Sequence, residues 1–102
     1  MPRFVRLAEL EIDPASLDAY RRYLTEEIEA SVRLEPGVLM LHAVSLADAP
    51  ASIRLLEVYG SREDYEAHIR TPHFLRYKTG TAAMVLSLRL LDADPILLAG
   101  KA

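Results

Sequence analysis

The apolar residues of this chain recur every second position, then every third or fourth, and the order of the two periods repeats along the sequence. Phe4 to Ile12 reads as a strand, with alternation clearest in its second half. Leu17, Tyr20, Leu24, Ile28 and Val32 then fall at spacings of three or four, one stripe on a helix of about five turns. Asp13-Pro14 opens that helix as cap and first-turn proline. Glu35-Pro36-Gly37 closes it, proline removing a donor and glycine permitting a left-handed turn. Arg21, Arg22, Glu26, Glu27 and Glu29 are expected on its wet face.

The second half repeats the theme. Val38 to Leu46 is an apolar run, Asp48 to Ser52 a turn, and Ile53 to Gly60 the next strand, paired as a hairpin. Ser61-x-x-Asp64 has the form of a capping box, and Thr71-Pro72 restarts the helix, which runs to about Ala83. Met84 to Leu91 is the last strand, and Pro95 to Ala99 an apolar tail. The order β-α-β-β-α-β predicts an α+β, ferredoxin-like plait: a four-stranded antiparallel sheet with helices on one face. Simple alternation puts Val38, Met40, Val44 and Leu46 on one side of the second strand, and Leu39, Leu41 and Ala43 on the other. Both sides are apolar, so the helix-free face needs a cover. A second copy is the simplest one, and a homodimer through the sheet face is expected.

Composition narrows the function. A chain of 102 residues makes one domain, spanning residues 1–102, and 51% hydrophobic with 26% charged residues excludes intrinsic disorder. A net charge of −3 speaks against a nucleic-acid partner. The absence of cysteine removes disulfides, thiolate metal sites and cysteine nucleophiles. No apolar run reaches the 18 or so residues of a membrane span, and Met1-Pro2-Arg3 leads directly into a strand, so no membrane partner and a cytoplasmic location are expected.

The polar groups set in apolar segments are His42, Glu57, Tyr59, Tyr65, His68, His73 and Tyr77. Glu57 shares a strand face with Ile53, Leu55 and Tyr59, where a carboxylate must be bonded, paired or protonated. It either pairs with Arg6, Arg54 or Arg89 or serves a pocket. Tyr65, His68 and Ile69 share a helix face, and His73 stands in the first turn of the restarted helix, where the dipole favours a neutral imidazole. His42 is read as a packing residue. Three histidines without a ligand spacing argue for no metal, and no glycine-rich nucleotide loop is present.

Four pieces in order, Glu35-Pro36-Gly37, Leu56-Glu57-Val58-Tyr59, Tyr65-Glu66-Ala67-His68 and Thr71-Pro72-His73-Phe74, resemble the antibiotic biosynthesis monooxygenase family, its quinol monooxygenase branch above all. The resemblance implies a dimeric α/β barrel and a cofactor-independent monooxygenase that joins O₂ to a small electron-rich phenol or quinol. It implies His68 and His73 as catalytic groups, with Glu57, Tyr59, Tyr65, Phe74 and Tyr77 around the substrate. Haem-degrading relatives use Asn, Trp and a late histidine; this chain has neither Asn nor Trp, and Lys78 stands near that histidine's place. An isomerase of the same family and a non-catalytic binding plait are the alternatives. An RNA-binding plait is excluded because Leu55-Leu56-Glu57-Val58 offers neither stacking rings nor basic groups.

Overall fold

The computed structural model describes residues 2–101. Strands β1 (Phe4–Ile12), β2 (Val38–Leu46), β3 (Ala49–Tyr59) and β4 (Val85–Ala93) form one antiparallel sheet in the order β2-β3-β1-β4. Helices α1 (Leu17–Leu34), α2 (Arg62–His68) and α3 (Pro72–Thr81) complete a ferredoxin-like plait whose second helix is broken in two. Each half opens on its own cap: Ser61 Oγ accepts from Asp64 N at 3.1 Å ahead of α2, and Thr71 Oγ1 from Phe74 N at 3.3 Å ahead of α3. Among the described residues no helix is long and apolar enough to cross a membrane.

The main core joins Ala8, Leu10 and Ile12 of β1, Tyr20 and Leu24 of α1, and Ile53 and Leu55 of β3. Here α1 departs from the expected stripe. Tyr20, Leu24, Glu27 and Ser31 are buried, while Val32 is 52% exposed. Glu27, expected in solvent, is only 5% exposed. Burying a carboxylate is costly unless it finds a partner, and the partner comes from another helix.

The second strand also differs. A register shift between Val38 and Met40 breaks the alternation. Val38 and Leu41 therefore pack in one cluster with Tyr59, on the helix side. Met40, His42 and Val44 pair with Val58, Leu56 and Arg54 and take the opposite face. The hairpin turn is only Ala47-Asp48, and β3 reaches back to Ala49. Pro50 is tolerated there because β1 pairing stops at Ser52, so its missing N–H interrupts no ladder on that side. Pro14–Ser16 form a single 3-10 turn ahead of α1, with Asp13 Oδ1 accepting from Ala15 N at 3.1 Å. The end of α1 needs no left-handed residue, since none of the described residues has positive φ. Gly37 is required by proximity instead: a Cβ there would land on the Asp64 side chain at the start of α2.

That contact gives a test. Gly37→Ala must push the first turn of α2 away from the end of α1, at a cost of about 1–3 kcal/mol. Gly100→Ala, with nothing within 4 Å, is the neutral control. Urea midpoints of the two variants measure the difference.

Candidate functional site

The inward stripe of α1 ends in acids and a hydroxyl, and α2 and α3 answer with two imidazoles. His68 closes α2 and is 2% exposed. Its Nε2 lies 3.1 Å from Glu27 Oε1 and its Nδ1 3.0 Å from Glu35 Oε2. With a carboxylate oxygen on each nitrogen, both nitrogens donate and the ring is an imidazolium. Glu27 is further fixed by the Ser31 hydroxyl, 3.0 Å from the same Oε1. His73 Nε2 donates to Glu35 Oε2 at 2.6 Å. One chain, Glu27–His68–Glu35–His73, thus links the end of α1 to α2 and α3.

The titration of these groups follows from the geometry. Burial by itself would lower the His68 pKa, but its bonds to Glu27 and Glu35 prevail and hold it above the ordinary value. Burial would raise Glu35, yet the bonds from His73 and His68 prevail and hold it below the carboxylate range. Glu57 goes the other way. Burial pushes its carboxyl up, only partly offset by a 2.6 Å bond that Tyr59 donates to Oε1. Tyr59 is wholly buried, and burial beside Glu57 pushes its own pKa far up, so it stays a donor.

Glu35, His68 and His73 each offer one ligand atom within 4.8 Å of the others, the donor set of a two-histidine, one-carboxylate metal site. The spacing here is that of a hydrogen-bonded set. Two ligands of one tetrahedral zinc are about 3.3 Å apart, whereas Glu35 Oε2 and His73 Nε2 are at 2.6 Å, a hydrogen-bond length.

Beside this chain lies a cavity of about 640 Å³ between helices and sheet. Leu24, Leu41, Leu55, Phe74 and Leu90 give it apolar walls; Arg6, Glu27, Glu57, Tyr65, His68 and Tyr77 are its main polar lining. Of the residues singled out in the sequence, Glu57, Tyr65, His68, Phe74 and Tyr77 line it. Tyr59 and His73 do not; they stand behind Glu57 and Glu35. His42 is exposed on the far sheet face. Glu57 makes no ion pair with arginine; Arg6, opposite it on β1, bonds Asp92 at 2.8 Å and donates to the Tyr65 hydroxyl at 2.7 Å. Glu27, Ser31 and Glu35 escaped the sequence reading as site residues, and Arg6 entered it only as a partner for Glu57. The signal for the first three was a second stripe, continuing from Tyr20 and Leu24 through Glu27 and Ser31 at the same helical spacing.

A pocket with acids, a charged imidazole and phenols on a ferredoxin-like plait defines a small α+β protein with acid–base groups gathered in one cavity. The chain belongs to the antibiotic biosynthesis monooxygenase family, whose sequence profile matches residues 3–80. A structure from Bacteroides thetaiotaomicron named for this family is 48% identical, with 99% of this chain and 96% of that chain covered and a TM-score of 0.95. A Lactobacillus acidophilus structure, named only as a monooxygenase by assignment, is 28% identical with a TM-score of 0.86, over 87% of this chain and 42% of its own. One from Nitrosomonas europaea, 23% identical over 92% of this chain and 99% of its own, shares the fold at a TM-score of 0.87. No curated protein matches the sequence.

The linked chain makes stability depend on pH in both directions. The contribution of Glu35, whose pKa is lowered, is present above the ordinary carboxylate value and lost as pH falls through the lowered one. That of His68, whose pKa is raised, is full below 6.5 and lost as pH rises through the raised value. Thermal midpoints should therefore plateau between the two and fall on both sides. His68→Ala, which leaves the buried Glu27 without its cation and Glu35 with His73 alone, should cost about 3–5 kcal/mol and flatten the profile.

Proposed function

We propose that this protein is a cofactor-independent monooxygenase acting on a small electron-rich phenol or quinol. The observation that carries this reading is Tyr65. Tyr65 lines the cavity and its hydroxyl accepts from Arg6, so its own proton is free to donate to a ligand oxygen. The guanidinium also lies 4.5 Å from the centre of the Tyr65 ring and 5.0 Å from that of Phe4, which fixes the donor in place. A donor backed by a cation in an apolar cavity suits an anion that forms during reaction. A deprotonated quinol is such an anion, and it supplies the electrons that reduce O₂; loss of two hydrogens and gain of one oxygen yields a hydroxyquinone and water. Phe74 and Tyr77 provide flat walls for its ring.

His68 and His73 act in this reading as positioning residues. Both nitrogens of His68 are engaged by carboxylates, so the ring neither takes a proton nor reaches a substrate through nitrogen. His73 holds Glu35 from behind. The family's isomerase chemistry is the second reading, favoured by the presence of two carboxylates, Glu27 and Glu57, in one cavity.

Oxygen uptake separates the two. A hydroquinone series given to the chelator-treated protein should consume one O₂ per quinol, and Tyr65→Phe should lower turnover by about 10²–10³-fold. An isomerised product without O₂ uptake would replace the oxygenase reading with the isomerase.

We also propose a homodimer through the helix-free sheet face. His42, Leu56, Leu7 and Leu91 form a row across all four strands there, and Leu7 and Val44 are 38% and 58% exposed. The next row, Arg54, Glu9 and Arg89, is charged and internally paired, Glu9 lying 3.7 Å from Arg54 and 3.6 Å from Arg89. An apolar row beside a charged one suits a two-fold contact. Leu7→Arg should sediment as a folded monomer where the parent sediments as a dimer. A parent protein that is monomeric at micromolar concentration removes this assembly.

A further inference from the structure

We propose that Glu57 is the general base of this cavity, its Oε2 taking the proton from the hydroxyl of a bound phenol. The inference rests on the phenol-binding reading above and names the group that starts its chemistry.

The assignment follows from which polar atoms are free. Both His68 nitrogens are engaged, the Tyr77 hydroxyl is paired with that of Tyr20 at 2.6 Å, and Glu27 is bonded through Oε1 to the His68 imidazolium and to Ser31, so of the two carboxylates that line the cavity only Glu57 has no cation bonded to it. Glu57 is held at one oxygen only, by Tyr59 at 2.6 Å. Among the described residues no buried polar side-chain atom lacks a partner. Oε2 of Glu57, which has none, is therefore accessible, and the residue lines the cavity. One oxygen is anchored by a buried donor while the other is left without a partner in a residue that lines the cavity. That is the geometry a carboxylate base requires.

In the step itself the phenol O–H bond breaks and a new O–H bond forms on Oε2. The electron pair stays on the phenol oxygen, where Tyr65 donates to it, and the neutral Glu57 later returns its proton to product or water. Burial prepares the carboxylate by raising its affinity for a proton, as a base working near neutral pH needs. The charged and titratable groups around it are Arg6 on β1, Glu27 on α1, His68 and Tyr65 on α2, and Tyr77 and Lys78 on α3. Of these, Arg6 and His68 favour the ionised form and Glu27 opposes it.

The experiment has one arm that needs no oxygen. With 4-nitrophenol as probe, the parent protein should bind the dye and shift it toward the coloured phenolate, and Glu57→Gln should bind it in the neutral form. In the second arm, Glu57→Gln should lower quinol-dependent O₂ uptake by about 10²–10⁴-fold. The parent's kcat/KM should show an acid limb above the ordinary carboxylate value of about 4.3, absent in the variant. Tyr59→Phe, which removes a bond to the ionised form, should move that limb to higher pH and so tests the assignment even if Glu57→Gln folds poorly. Phenolate formation without O₂ uptake would support the base while overturning the oxygenase reading. Unchanged dye ionisation in Glu57→Gln, or no ionisation in the parent, would overturn the base.

Discussion

His68 lies between Glu27 and Glu35, and the rest of the site depends on that arrangement. Each group alone would be expensive to bury, the carboxylates as anions and the imidazole as a cation. Together they account for one another's charge, and His73 closes the chain at its outer end. Because the four residues come from three elements, the link holds α1, α2 and α3 in fixed relation over the sheet. The cavity beside it then has a defined shape, which a site built on a broken helix would otherwise lack.

The break between α2 and α3 is part of the same construction. Thr71 caps α3 through Phe74 N and also donates to the His68 carbonyl at 2.8 Å, so one side chain ends the first helix and begins the second. A continuous helix would carry His68 and His73 about 140° apart around its axis. The interruption lets both imidazoles reach one carboxylate oxygen. It also brings Phe74 to 5.1 Å from His68, ring centre to ring centre, so that Phe74 covers the imidazole and joins the cavity wall.

The chain has neither Asn nor Gln, so its inward polar side chains are ionisable groups and hydroxyls. In the cavity this leaves carboxylates, phenols, an imidazolium and a guanidinium as the lining that chemistry can use. Their partners divide them into two sets. The Glu27–His68–Glu35–His73 groups pair acid with imidazole, whereas Glu57 and Tyr65 are each held on one side, by Tyr59 and Arg6, and Glu57 has no cation bonded to it. Paired groups give rigidity; half-open ones give reactivity.

The element order, both caps of the broken helix and the shared inward face of Tyr65, His68 and Ile69 were legible in the residues, since period and capping act over a few positions. The four ordered motifs likewise pointed to the family that the profile identifies. What the chain alone could not decide was which of two overlapping stripes of α1 turns inward. Val32 is the more apolar choice, yet it is exposed while Glu27 and Ser31 are buried, because Glu27 finds His68 on another helix. The bulge near Leu39 is of the same kind: Val38 and Leu41 come to one side only because Tyr59 and the helices are there to pack against. Local patterns determine where elements begin and end. The cost of burying a charge depends on a partner distant in sequence, and only the tertiary structure supplies that partner.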